Sequence, residues 1–440
     1  MKNKKWPPWE KGSFLADFHI HSKYSRATSK AMEPEGINEV AKLKGIKVVG
    51  TGDFTHPGYL REIKEKLMLE EETGLLVCKN DPGGTKFILS AEVSNIFTQG
   101  GKNRRIHTVL FAPDIETVED IQDRLKRIGN ISSDGRPIFG FPVKDLVRLV
   151  MESNPKCFVV PAHIWTPWFS VFGAKSGFDS LEECFEDQLH HIHALETGLS
   201  SDPQMNWRLS ALDSYTLISN SDAHSPWKLG REANIFSCDL SYDHIIEAII
   251  NPSKGFEGTI EFFPEEGKYH YDGHRSCNIC LSPEETKKLG GICPVCHRPL
   301  TVGVCHRVDD LADRPSGFVP ESCLPSIHLV PLEEIIAESF GVKSITSRVR
   351  KEYLRTVEMA GAEFDTLIWK DQEELESILP DKIVSAILAM RMEKVRVIPG
   401  FDGRYGIIKT ISQPNEDEKQ VDPENKPKAH GKKLVQKSLF

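Results

Sequence analysis

No stretch of the chain approaches the roughly 18 consecutive apolar residues that a membrane span requires. The basic start MKNKKWPPWEKGS is not followed by the apolar core of a secretory leader. Both absences point to a cytoplasmic protein with no membrane partner. A disulfide framework is missing too: of ten cysteines only four recur at close spacing, so metal ligation or buried thiols outrank cystines in a reducing compartment. Positive charge is scarce. Lys and Arg number 55 against 64 Asp and Glu, a formal net charge of −9, which disfavours nucleic acid as a partner unless the cations are concentrated locally. Internal repeats are absent. From Gln413 to Lys428 almost nothing can be buried, which predicts a disordered linker.

What is present is a recurring short apolar run that ends in an ionisable residue and is followed by a helix-like segment. The runs begin at Phe14, Ile46, Phe87, Ile106, Cys157, Ile192, Tyr215 and Ala233. Strands alternating with helices predict a parallel α/β sheet, and so many units in one domain close most economically as a barrel. Functional side chains of such barrels gather at the C-terminal strand ends. An open doubly wound sheet would instead collect them at one crevice. The organisation expected is a barrel over residues 1–270, a Cys-, Pro- and Gly-rich module over 271–330, a small helical domain over 331–412, and a linker with a terminal peptide over 413–440.

The ionisable residues at the run ends are the informative ones. Asp17, His19 and His21 alternate along the first strand and so share one face. Two imidazoles and a carboxylate so placed can hold a divalent metal. Asp222 and His224 repeat the pattern; Asp53 and His56 follow the second strand; Glu92, His107 and His163 fall on three more. One such residue is ordinarily solvated or a helix cap, but their recurrence at equivalent positions predicts a metal centre. Clustered divalent ions lower the pKa of a bound water and clamp a phosphoryl group, so metal-activated hydroxide acting on a phosphoester is the expected chemistry. The ligand types admit Zn, Mn, Fe or Mg.

In these elements the chain resembles the PHP (polymerase and histidinol phosphatase) superfamily. The resemblance implies a distorted seven-stranded (β/α)7-type barrel holding two or three metals, with Glu92 bridging two of them and Asp222 and His224 completing the cluster. Some members carry an Asp or His where this chain has Ser25-Arg26. Catalytic roles are expected for Asp222, Glu92 and His163. Glu196, in Leu-Glu-Thr-Gly, ends another strand and reads either as a structural residue or as an active-site one.

Cys277-Asn-Ile-Cys280 and Cys293-Pro-Val-Cys296 form two CxxC knuckles with twelve residues between them, the spacing of four thiolates around one structural Zn2+. After His163 the chain runs through Trp165, Trp168, Phe169, Phe172 and Lys175 to Phe178. Aromatic faces beside a metal site can stack on bases, and Arg26, Arg104, Arg105 and Arg404 can contact phosphates, the last within a Gly-rich Gly400-Phe-Asp-Gly-Arg-Tyr-Gly turn. Each of these also has an ordinary packing or solvated reading.

Barrel, knuckles and tail together resemble the endonuclease Q family within this superfamily. That resemblance implies cleavage of DNA on the 5′ side of a deaminated base (hypoxanthine, uracil, xanthine) or of an abasic site, with the damaged nucleotide flipped between barrel and ribbon. The chain closes on Gln436-Lys-Ser-Leu439-Phe440, which looks like the peptide by which bacterial enzymes bind the replication sliding clamp. Leu and Phe would fill an apolar pocket on the clamp, with the linker supplying reach. It favours a bacterial cytoplasm, with the protein on the nucleoid when bound to DNA. Two other readings compete: a small-molecule phosphatase of the same superfamily, and a non-enzymatic zinc protein that binds DNA or a partner. A small substrate needs neither knuckles nor tail, and a binding module needs no ligand set on its strand ends.

Overall fold

The computed structural model describes residues 6–344 and 346–410. The Gln436, Leu439 and Phe440 peptide lies outside the described residues. Among them, no helix is long and apolar enough to cross a membrane.

Seven strands form a distorted ring. They are β1 (Phe14–Asp17), β2 (Ile46–Gly50), β3 (Asp81–Gln99), β4 (Lys102–Ala112), β5 (Phe158–Pro161), β6 (Ala194–Glu196) and β7 (Thr216–Ile218). β1 pairs with β2 and β2 with β3, both in parallel. β4 is antiparallel to both β3 and β5. A parallel bridge from Val159 to Ile192 leads to β6, β6 pairs in parallel with β7, and a bridge from Ile20 to Ala223 returns to the start. The interior is apolar and every strand contributes: Ala16, Val48, Ile88, Val109, Val160, Ala194 and Ile218 meet in one buried cluster. Side-chain amides replace missing ladder bonds at the seam. Asn220 Oδ1 accepts from the Phe18 N–H at 2.8 Å, and Asn234 Nδ2 donates to Ser219 O at 2.7 Å.

The fold is therefore the expected distorted barrel, with two departures from all-parallel alternation. No helix separates the runs at Phe87 and Ile106. They form one long hairpin turning at Gly100–Gly101, whose φ values of +58° and +73° suit the tight turn that matches strand twist. The run at Ala233 is likewise antiparallel to β1 and extends the sheet to Phe256–Glu261 and Ser326–His328. Apolar runs of this length read alike in either direction, so direction was not available from pattern alone.

Beyond the ring, a small hairpin (Asp272–His274 with Ile279–Leu281) carries the first CxxC knuckle. Helices Leu332–Phe340, Ser347–Ala360 and Asp381–Arg391 follow, the first stopped by Gly341 at φ +64°. One apolar core runs from Leu15 and Val49 through Ile327 and Leu332 to Ile387. At that junction Lys44 meets Glu363 at 2.9 Å, both almost fully buried, and the Tyr353 hydroxyl donates to the same carboxylate at 2.7 Å. Burial alone would raise the Glu363 carboxyl, but Lys44, the Leu332 N–H and the Tyr353 hydroxyl together hold it below the usual range. A hairpin of Arg396–Ile398 with Ile407–Lys409 closes the described chain.

Candidate metal centre

The strand ends of the ring bring two ligand groups together on one floor. In the first, His19, His21 and Asp222 converge; in the second, Glu92, His107 and His163. Within the first, Asp222 Oδ1 stands 3.1 Å from His21 Nε2 and 3.9 Å from His19 Nε2. All three atoms are buried and lack any hydrogen-bond partner. Orphaned buried polar atoms are costly, and three aimed at one point are what a cation would satisfy. In the second, Glu92 Oε1 lies 2.6 Å from His107 Nδ1 and 3.1 Å from His163 Nε2. Glu92 Oε2 faces the first group, 3.2 Å from His21 Nε2 and 3.7 Å from His19 Nε2. One carboxylate thus offers an oxygen to each group.

Two further carboxylates orient the imidazoles. His19 Nδ1 is 3.0 Å from both oxygens of Glu196, and His21 Nδ1 is 3.1 Å from Asp53 Oδ1. With those nitrogens donating, each Nε2 lone pair points into the cluster, the usual arrangement of a metal-ligating histidine. Glu196 also accepts the His163 N–H at 2.7 Å and Asn220 Nδ2 at 2.9 Å. Asp53 Oδ2 takes Ser22 N and Ser22 Oγ at 2.6 Å and Ser25 Oγ at 2.8 Å. Asp53, His163 and Asp222 all adopt left-handed backbone, with φ of +48°, +31° and +47°. Strain of this kind in non-glycine residues concentrates at functional sites.

The electrostatics suit a cation. Burial opposes charge on His19 and His21, yet Glu196 and Glu92 raise the first, and Asp53 and Asp222 the second, well above the ordinary imidazole value. Glu92, despite burial, is held well below the carboxylate range by His107 and Arg136. Burial in turn pushes His107 down to about 4, against the pull of Glu92.

The other sequence candidates fall elsewhere. Asp17 is fully buried and accepts from the Ser221 and Gly230 N–H groups at 3.0 and 2.9 Å, which anchors the segment bearing Asp222. Burial drives its carboxyl up to about 6. His56 caps a helix, its Nδ1 accepting from Gly58 N at 3.1 Å while Nε2 donates to Ser132 O at 3.1 Å. His224 sits with its ring 4.5 Å from that of His21, Nδ1 donating to Asp222 O at 2.9 Å.

A cavity of about 280 Å³ opens above the floor, walled by Trp168, Phe169, Arg136 and Thr166. Trp168 is 39% exposed and edges onto Tyr269; Phe169 lies against His107 with ring centres 4.5 Å apart. Trp165 and Phe172, read from sequence as stacking faces, are instead core residues at 1% exposure each, and the indole N–H of Trp165 donates to Asn206 Oδ1. Arg104 is buried over Phe178 and bonded to Gly177 O, so it braces the aromatic loop rather than facing a ligand. Arg105 flanks Phe169, Lys175 is exposed, Arg26 pairs with Asp134 at 3.1 Å, and Arg404 donates to Asn278 Oδ1 at 2.5 Å.

In the knuckle module Cys277, Cys293 and Cys296 converge with His274, which the spacing argument missed; His274 Nδ1 is 3.3 Å from Cys296 Sγ. Cys280 pairs across the hairpin with Gly273 and lies outside this group. Burial opposes ionisation of Cys293, but the N–H groups of Cys296 and Val295 draw its thiol down to about 6, ready for a metal. A His three residues before a knuckle was the available signal. Arg136 was missed because it lies on a loop, in Asp134-Gly-Arg-Pro, and not at a strand end.

The same architecture has been solved elsewhere. The crystal structure of the lesion-specific endonuclease PfuEndoQ from Pyrococcus furiosus superimposes with a TM-score of 0.80 at 32% identity, covering 90% of this chain and 95% of that one. The chain belongs to the endonuclease Q family. A second structure of the family, endonuclease Q in complex with a 27-mer duplex bearing an abasic lesion at its active site, gives a TM-score of 0.79 at 32% identity over 90% of this chain and 96% of that one. The model of the MJ0043 C-terminal domain matches residues 331–394, the helical segment. The MJ0043 protein of Methanocaldococcus jannaschii is 31% identical over 296 residues, 64% of this chain but 35% of its own length, so this chain spans about a third of that relative.

Proposed function

We propose that this family member is a metal-dependent DNA-repair endonuclease that hydrolyses the phosphodiester 5′ of a deaminated base (hypoxanthine, uracil or xanthine) or of an abasic site. The observation that carries the reading is the floor of the cavity. Glu92 offers one oxygen to the His19–His21–Asp222 group and the other to the His107–His163 pair. The ligand atoms of the first group are buried and orphaned. Divalent ions held there, Zn2+, Mn2+ or Mg2+, would supply an activated water and a clamp on the phosphoryl oxygens. Glu92 would bridge, and His224 would approach from the rim. Glu196 and Asp53 fix the imidazole tautomers, and Asp17 fixes the segment bearing Asp222. Trp168 and Phe169 give the cavity an aromatic wall for a nucleotide drawn out of the duplex.

The division of labour proposed is a phosphoesterase barrel over 1–270, a Zn2+-stabilised module over 271–330 and a helical segment over 331–412. The terminal Gln436, Leu439 and Phe440 would tether the enzyme to the sliding clamp, in the cytoplasm at the nucleoid. Deleting 436–440 should abolish clamp binding and leave cleavage intact.

The test is an end-labelled duplex carrying one deoxyinosine, uracil or abasic site, with added divalent metal, beside an undamaged duplex and the Asp222→Ala protein. A single metal-dependent cut 5′ of the lesion, absent from both controls, is the expected result. Intact lesion duplexes together with turnover of a chromogenic phosphate would replace this reading with a small-molecule phosphatase. Metal binding without hydrolysis of either would leave a DNA- or partner-binding zinc protein.

A further inference from the structure

Among the described residues, Arg136 is the one Lys or Arg side chain that lines the cavity over the candidate metal centre. Asp222 and Glu196 line the same cavity, and the buried Glu92 pairs with the guanidinium. A cation fixed at the wall of this cavity is placed to meet an entering phosphodiester.

The loop that carries Arg136 is built to hold it still. Gly135 N donates to Tyr24 O at 3.0 Å, and Gly135 O accepts from Thr55 Oγ1 at 3.1 Å. His56 Nε2 reaches Ser132 O, Arg26 reaches Asp134, and Asp134 Oδ1 accepts the Arg136 N–H at 3.1 Å. On the far side Pro137 O accepts the Ser94 N–H at 3.0 Å. Packing is so close that a Cβ on Gly135 would lie 2.2 Å from Asp53 Oδ2 and 2.4 Å from Ser25 Oγ. His56 and Arg26, read from sequence as a ligand and a phosphate contact, thus both secure this loop.

The side chain itself is only partly engaged. Arg136 Nη1 donates to Glu92 Oε2 at 2.8 Å and is about a third exposed. Of the five N–H donors of a guanidinium, no other has a protein acceptor among the described residues. The rest of the planar fork faces the cavity. Forks of this shape match two phosphate oxygens at once.

We propose that Arg136 binds the scissile phosphodiester through its non-bridging oxygens. This rests on the endonuclease reading. The test compares wild type, Arg136→Lys and Arg136→Ala, all full length, metal-loaded and with matched melting temperatures. The substrate is an abasic duplex whose scissile phosphate is either natural or an uncharged methylphosphonate. Arg136→Ala should lose about 100-fold or more on the natural phosphate, Arg136→Lys less, and neither should lose more than a few-fold on the methylphosphonate. Equal losses on both substrates, or no loss on the natural one, would overturn the proposal. A second measurement keeps it separate from the endonuclease reading. Inorganic phosphate binding by calorimetry should weaken at least about tenfold in Arg136→Ala, as expected for one charge-assisted contact. If wild type cuts no DNA yet this loss is seen, the endonuclease reading fails and the anion site stands; unchanged phosphate binding sinks the anion site.

Discussion

Changing Glu196 to Gln removes a single charge from a carboxylate that four contacts converge upon. Glu196 is 1% exposed. Its Oε2 takes the His163 N–H and its Oε1 takes Asn220 Nδ2, while His19 Nδ1 lies 3.0 Å from both. Every partner is a donor, so both oxygens are needed as acceptors. A glutamine offers one oxygen and one NH2, and in either flip the NH2 meets a buried N–H. Losing one such bond and opposing two donors costs about 1–3 kcal/mol. If the loss is expressed in the set of His19, metal affinity falls about 10–100-fold, the range found for partners of metal-bound histidines. The assay is titration of metal-free protein with Mn2+ or Zn2+ against a competing chelator, alongside cleavage rates over the same metal range. The expected result is a weakened apparent Kd with the rate restored to within a few-fold at excess metal. Unchanged metal affinity with the rate lost at every metal concentration would refute a positioning role and make Glu196 a participant in the reaction.

Glu261 is fully buried and driven by that burial from 4.5 up to about 7. The folded state therefore holds its proton more tightly than the unfolded chain. The stability it confers is complete below the unfolded value and is lost as pH rises through the folded one. The metal-stripped protein should melt higher at pH 5 than at pH 8, and Glu261→Gln should flatten that decline by up to about 3 kcal/mol; identical slopes in the two proteins would count against it. Gly135→Ala should drive a methyl into Asp53 and Ser25, destabilising the fold by about 1–3 kcal/mol and weakening metal retention through His21, as melting and metal analysis would show. Cys293→Ser should release one metal equivalent by elemental analysis and leave the cavity ions bound. Loss of all the metal at once would tie the two centres together.

The barrel was legible because its strands carry both signals at once, an apolar run and an ionisable end, as in Phe14–His21 and Tyr215–Asp222. Direction was not, since the hairpin at Gly100–Gly101 reverses a strand whose apolar content looks like its neighbours'. Within the site, residue types were legible but assignments among them were not. Asp53 and Glu196 are the same carboxylates as Asp222 and Glu92, and only three-dimensional position decides whether an oxygen meets an imidazole N–H or the space where a cation belongs. Trp165 and Trp168 sit three residues apart in one loop, yet one anchors the core and the other walls the cavity. Arg136 belongs to no periodic pattern, and its place follows from contacts with residues near 24, 53, 92 and 134 that no spacing rule connects.

The ring seam at Ile20 and Ala223 has a consequence for the order of events during synthesis. The first candidate ligands, His19 and His21, leave the ribosome early, but Asp222, which converges with them, and the Asn220 and Asn234 amides that stitch the seam follow only about two hundred residues later. Chains are made at about 5–20 residues per second, so for at least about ten seconds the early histidines have no complete site to join. The ligand set proposed for the reaction is therefore incomplete until the ring closes at this seam.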